Sequence, residues 1–388
     1  MAINITNIIS VVNAKLAALD SNSSSIDIKV LDTINDYIVN VGGVLTYQSQ
    51  SEMPTAKAGD IAFVKNVIGG DSSNTGSYFF GLGPDSGWMR VFMTLDSADS
   101  AVSAPPPLPT ATTGYTSGGY GPTNIIDKFP FAVDANATDV GNLTRLQYNL
   151  AGQSSTVSGY TSGGYNPVNS NVIDKFPFAV DANATDVGDL TVARNGPAGQ
   201  SSTVNGYTSG GALPAATNVI DKFPFAVDAN ATDVGDLTVA RFSTSGQSST
   251  ENGYSSGGGA PANTNVIDKF PFAADANATD VGDLIVTVRS TAGQSSSETG
   301  YVSGSFPIIN TIQKFPFASD GNATDVGDLT AARGNSAGQS SSENGYASGG
   351  SVPTATNIIE KFPFAVDANS TDVGDLTSAR FQPAGQQG

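Results

Sequence analysis

Between Gly114 and Gly388 one phrase recurs six times with small changes. It runs Gly-Tyr-x-Ser-Gly-Gly, a variable stretch, Lys-Phe-Pro-Phe-Ala, Asp-x-Asn-x-Thr-Asp-Val-Gly, and a Leu-Thr…Arg ending. Tyr115, Tyr160, Tyr207, Tyr254, Tyr301 and Tyr346 are spaced by 45, 47, 47, 47 and 45 residues. Self-similar units of this length cannot each bury a core alone, so they stack into an array or a propeller.

The third unit shows how one copy divides into strands. Ala198–Ser202 and Gly206–Ser209 are short segments of small side chains separated by a polar turn. They suit inner strands a and b, where the wedge between blades narrows toward the axis. Gly210-Gly211 ends strand b, and residues 218–226 form strand c. Phe223 and Phe225 are two residues apart and share a face that can pack on the neighbouring blade. Pro224 cannot donate to a ladder, so strand c must end or bulge there. Leu237–Arg241 is expected as the outer strand d, and the acidic segment before it as the c–d turn.

Phe381–Gln386 supplies a strand a with no strand b after it, whereas no such segment precedes Gly114. The C-terminal strand is therefore expected to complete the first blade and leave no unpaired edge. The fold class that follows is mainly β: a six-bladed propeller over residues 114–388, preceded by a helical segment and a small antiparallel β module.

The glycine doublets, the aromatic strand c and the closing arginine resemble the kelch repeat. The doublets are Gly118-Gly119, Gly163-Gly164, Gly210-Gly211, Gly257-Gly258 and Gly349-Gly350, with Gly304-Ser305 in the fifth unit. Arg194, Arg241, Arg289, Arg333 and Arg380 are matched to the arginine, and the first unit has Gln147 there with Arg145 nearby. The tryptophan usual in the outer strand of that family is missing from every unit.

The first hundred residues are not repeated. Ile5, Ile8, Ile9, Val12, Leu16 and Leu19 mark an apolar helical stripe, and Ile28, Leu31, Ile34, Tyr37 and Ile38 a second. Residues 1–40 are expected to be a helical anchoring or oligomerisation segment. Residues 41–95 read as a β module. Its phrase Met53-Pro54…Gly59-Asp60-Ile61-Ala62-Phe63-Val64…Tyr78-Phe79…Gly87-Trp88 resembles small modules of appendage and fibre proteins of tailed, notably marine, bacteriophages. That resemblance covers about 90 residues. Residues 96–113, with Pro105-Pro106-Pro107-Leu108-Pro109, form a stiff linker.

The chain has neither Cys nor His, which excludes disulfides, thiolate or imidazole metal sites, and nucleophile–histidine catalysis. A net charge of −18 argues against nucleic-acid phosphate as a partner. No stretch reads as a membrane span or signal peptide. Sixfold repetition of the acidic residues points to scaffold rather than catalysis, so no enzyme and no cofactor is expected.

In this strand order the a–b and c–d turns share one face of the propeller, and the b–c and d–a connections share the other. The b–c loops differ between copies, which marks Tyr120, Tyr165, Asn166, Leu213 and Phe306 as candidate binding residues. The repeated Asp-x-Asn-x-x-Asp phrase offers alternating oxygen ligands for calcium, for example Asp181, Asn183 and Asp186, or Asp228, Asn230 and Asp233. The competing account is that these side chains cap backbone N–H groups of a turn.

The resemblance of the N-terminal region implies a virion structural protein of appendage or fibre type. Residues 1–95 would attach it to other virion proteins as a homo-oligomer, and the propeller would meet a host-surface glycan or protein. Capsid decoration without a receptor role and a cellular protein-interaction propeller are the alternatives.

Overall fold

The computed structural model describes residues 111–388 apart from 122 and 260, together with the backbone of four strands nearer the N-terminus. Those four are Leu45–Ser49, Ile61–Asn66, Ser77–Gly83 and Gly87–Val91. They form one sheet in chain order, the first pair parallel and the others antiparallel. The helical segment expected over 1–40, the remainder of 41–95 and the linker up to residue 110 lie outside the described residues.

Residues 111–388 form a six-bladed β-propeller of four-stranded antiparallel blades. Blades are numbered from the one holding Thr113–Ser117. In blade 3, strands a to d are Ala198–Ser201, Asn205–Ser209, Val219–Pro224 and Thr232–Asp236. Strand c ends at Pro224, the first residue that could not have donated to a further rung.

Strand d differs from the expectation. It is formed by Thr232-Asp-Val-Gly-Asp, which the sequence suggested as a turn, and the c–d turn is the shorter stretch before it. Leu237 and Arg241 are instead buried residues of the d–a connection. The outermost strand faces solvent on most of its surface and carries mainly polar residues, so it shows no apolar alternation. The apolar residues that follow it mark the seam between blades.

Blade 1 is closed as expected. Ala384–Gln387 pairs antiparallel with Thr113–Ser117 and supplies strand a to Ile125–Pro130 and Thr138–Asn142.

Each seam joins one blade to the next through the same set of side chains. Between blades 2 and 3, Tyr160, Ile173 and Leu190 meet Phe223, Ala231 and Phe225. Tyr160 stacks on Phe225 with centroids 4.9 Å apart and tilts against Phe223 at 5.5 Å. The seam between blades 6 and 1 repeats this with Tyr346, Ile359 and Leu376 against Phe129 and Phe131.

At the axis six strands a converge. A Cβ on Gly199 would lie 2.2 Å from the carbonyl oxygen of Gly152 in the preceding blade, and the equivalent glycines repeat this around the ring. Any side chain there would force the blades apart. The next residue outward is a buried glutamine whose amide donates to a tyrosine carbonyl of the following blade. Gln200 donates to the Tyr254 carbonyl at 2.8 Å, and Gln386 to that of Tyr160 at 3.0 Å.

Under the b–c/d–a face sits a buried ionic layer. Arg194, after strand d of blade 2, donates to the Asp221 carboxylate and the Thr208 carbonyl of blade 3, both at 2.9 Å. Thr191 also binds Asp221, through its N–H at 3.0 Å and its hydroxyl at 2.7 Å. The pair is fully buried. Burial pulls the Arg194 guanidinium pKa down, while Asp221 opposes that shift. The glycine doublet fits over this layer. Gly210 and Gly211 have φ of +67° and +108°, and a Cβ on Gly211 would lie 3.2 Å from the Arg194 side chain.

Arg241–Asp268, Arg333–Glu360 and Arg380–Asp127 repeat the pair. Arg289 does not belong to this set: the equivalent buried position is Val288, facing Gln313, and Arg289 lies one residue further on.

Candidate recognition face

The b–c/d–a face is built from two concentric sets of residues. The inner set is one residue from each d–a connection: Asn149, Gly196, Ser243, Ser290, Asn335 and Gln382. All six have φ between 53° and 63°. Each N–H donates to the carbonyl of the equivalent residue in a neighbouring connection, at 2.6 to 2.9 Å, and the six bonds close a ring around the axis. Five residues other than glycine are thus held in the left-handed region, which persists because the ring over-determines it.

The outer set flanks that ring. Each d–a connection forms a β-bridge with the b–c loop of the blade it leads into. The bridges are Tyr148 with Tyr165, Asn195 with Ala212, Phe242 with Gly259, Arg289 with Phe306, Gly334 with Ser351, and Phe381 with Tyr120. They continue the a–b hairpin register beyond the glycine doublet. The backbone bridge is the same in all six blades, while the side chains it carries range from none to tyrosine.

Among the candidate binding residues, Tyr120 and Tyr165 are brought together through Tyr148, with centroids 5.1 and 5.6 Å from it. Asn166 lies beside them and donates to the Leu146 carbonyl at 2.9 Å. Leu213 is on blade 3, opposite Ala215 in a small hairpin of two two-residue strands. Phe306 is on blade 5, where Arg289 stacks 4.9 Å above its ring and 5.9 Å from Phe242.

Tyr148, Phe242, Arg289 and Phe381 are members of this face that the sequence reading did not mark. The signal available was the residue directly after the buried arginine position, which reads Tyr, Asn, Phe, Arg, Gly and Phe in successive connections. Burial raises the Tyr148 phenol pKa, and Tyr165 and Tyr120 add to the rise.

The candidate calcium residues lie on and beside the c–d turns, where each has a protein partner. Asp181 pairs with Lys128 of the preceding blade, and Asp228 pairs with Lys175 at 2.5 Å. The Asn183 and Asn230 side-chain oxygens accept the N–H groups of Asn142 and Asp189, each at 3.0 Å. Asp186 and Asp233 accept the N–H groups of Gly188 and Gly235 at 3.3 and 3.2 Å. Among the described residues no three acidic side chains gather into a metal-binding group. The phrase thus works as an inter-blade latch.

Among the described residues no helix is long and apolar enough to cross a membrane. The six-bladed propeller is consistent with the kelch-like resemblance. No protein-family model and no curated protein matches the chain.

Proposed function

We propose that the chain is a non-catalytic attachment protein of virion-appendage type. Residues 1–95 anchor and oligomerise it on the particle, and the propeller meets the host surface through its b–c/d–a face. The observation that carries this reading is the contrast between the two faces. One repeats the same lysine–aspartate latch around the ring, while the other changes its exposed chemistry from blade to blade around one repeated backbone bridge. A surface varied in this way suits recognition, because binding groups on loops are positioned by the rigid scaffold beneath them.

The direction in which the chain enters the propeller supports display. Thr112 and Thr113 lie at the a–b/c–d end, where the Phe131 N–H bonds the Thr112 carbonyl. Thr112 therefore lies on the face opposite the variable loops.

The test is adsorption of the fluorescently labelled full chain to a panel of intact bacterial cells. Saturable adsorption to at least one strain is expected, lost when the b–c loops are replaced by Gly-Ser segments of equal length. Adsorption to none of the strains, or undiminished adsorption after loop replacement, overturns the proposal.

A further inference from the structure

Four aromatic rings form an unbroken run across blades 1 and 2 on the variable face. Phe381 and Tyr120 have centroids 4.7 Å apart and tilted by 33°. Tyr120 and Tyr148 meet edge to face at 5.1 Å, and Tyr148 and Tyr165 at 5.6 Å and 61°. Tyr120 is 47% exposed and the other three are half-buried.

The fold does not need these rings. The same backbone bridges are made with Asn195 and Ala212 in blade 3 and with Gly334 and Ser351 in blade 6. Nor can the rings easily sink into the core, because their backbones are pinned. The Tyr120 N–H bonds the Phe381 carbonyl at 2.8 Å, and the Tyr165 N–H bonds the Tyr148 carbonyl at 2.9 Å.

A relay of uncharged amides continues from the run. The Asn149 side-chain amide donates to Asn195 at 3.3 Å, Asn195 to Asn169 at 2.7 Å, and Asn169 to the Ala212 carbonyl at 3.0 Å.

We propose that this aromatic run, with its amide relay, binds a neutral saccharide chain. The proposal rests on reading this face as the recognition surface. The face of an aromatic ring is electron-rich and favours the weakly positive C–H face of a pyranose. Pinned tyrosines offer that area at little cost in side-chain entropy, and asparagine amides pair with hydroxyl groups. Neither the four rings nor the relay carries a charge, and the net charge of −18 opposes a polyanionic ligand. Rings set in sequence across two blades suit several sugar units of one chain better than a single sugar.

The test titrates the full chain with neutral maltohexaose, cellohexaose, mannohexaose and chitohexaose, followed by calorimetry and saturation-transfer NMR. Hexameric oligogalacturonate and a synthetic peptide of residues 104–110 serve as the anionic and proline-rich probes. At least one neutral hexasaccharide is expected to bind, with Tyr148→Ala and Tyr120→Ala each weakening it roughly tenfold or more. Tyr148→Phe should keep most of the affinity, Val227→Ala on the opposite face of blade 3 should keep all of it, and all the variants should melt as the parent does.

The proposal is overturned if no neutral hexasaccharide binds, if Tyr148→Ala binds as the parent does, or if oligogalacturonate or the peptide takes the site instead. If hexasaccharides bind through Tyr148 while no cell is adsorbed, the attachment reading falls and the saccharide site stands. If cells are adsorbed but Tyr148→Ala changes nothing, the reverse holds.

Discussion

The seam between blades 2 and 3 and the seam between blades 4 and 5 solve the same packing problem with opposite chemistry. The first buries Arg194 against Asp221, with Thr191 completing the carboxylate. In the second, all three positions have changed together: Val288, Gln313 and Ile285 stand where the arginine, the acid and the threonine would be. Gln313 is left to accept a single N–H, from Ile285 at 2.7 Å. A buried ion pair and a well-packed neutral set can be close in stability, whereas half of either is poor.

The seam between blades 1 and 2 is such a half. Asp174 and Thr144 are kept, but Gln147 replaces the arginine. Burial accordingly raises the Asp174 carboxyl pKa above the ordinary 3.8, with the Thr144 hydrogen bonds opposing the rise.

The sharpest way to break the comparison is to remove a seam member shared by the whole ring. Deleting residues 381–388 takes strand a from blade 1, and with it the Gln386 contact to blade 2. Two seams lose their inner edge, so the melting temperature should fall by more than ~10 °C. An unchanged melting temperature would show that the ring holds without its closing strand.

Next in size is Val288→Arg. It buries a guanidinium opposite a neutral glutamine and should cost about 3–5 kcal/mol in denaturant unfolding. Adding Gln313→Asp should recover much of that loss. If the double variant is no better than the single, the seams are not interchangeable.

Smallest is Gln147→Arg, which completes the half-pair and should raise stability by roughly 1–2 kcal/mol near neutral pH. The sign of the pH dependence follows from the raised Asp174 pKa. Its folded form holds a proton more tightly than its unfolded form, so its contribution is fully present at low pH. That contribution is lost as pH rises from 3.8 through the raised value. Asp174→Asn should therefore gain stability over the parent on the neutral side of this window and not on the acid side. An equal difference at both ends would mean that folding leaves the Asp174 pKa unchanged.

The comparison also shows what the sequence made legible. The period, the six blades, the closing strand and the end of strand c at Pro224 were readable, because each follows from repetition or from a backbone limit on one residue. Strand d was not, because the Leu237–Arg241 segment looks more strand-like than the polar Thr232–Asp236 that forms it. That exchange concealed the d–a connections. Tyr148 and Phe381 were therefore missed, while Tyr120 and Tyr165, in connections identified correctly, were found. The slip at Arg289 has a simpler cause. An arginine one residue away imitates the pattern, but Val288 is the residue four after the repeated leucine, as Arg194 is after Leu190, and it is the buried one.

The ring of six backbone bonds at the axis has a consequence for how such a chain can change over generations. Near-identical tandem copies invite recombination that adds or removes whole units. A product with five or seven copies must find a different closure, because each axial N–H is matched to a carbonyl at 2.6 to 2.9 Å and the glycines behind leave no slack. The number of blades is therefore fixed far more tightly than the wording of any one of them. Point substitutions on the variable rim remain the open route to a new specificity.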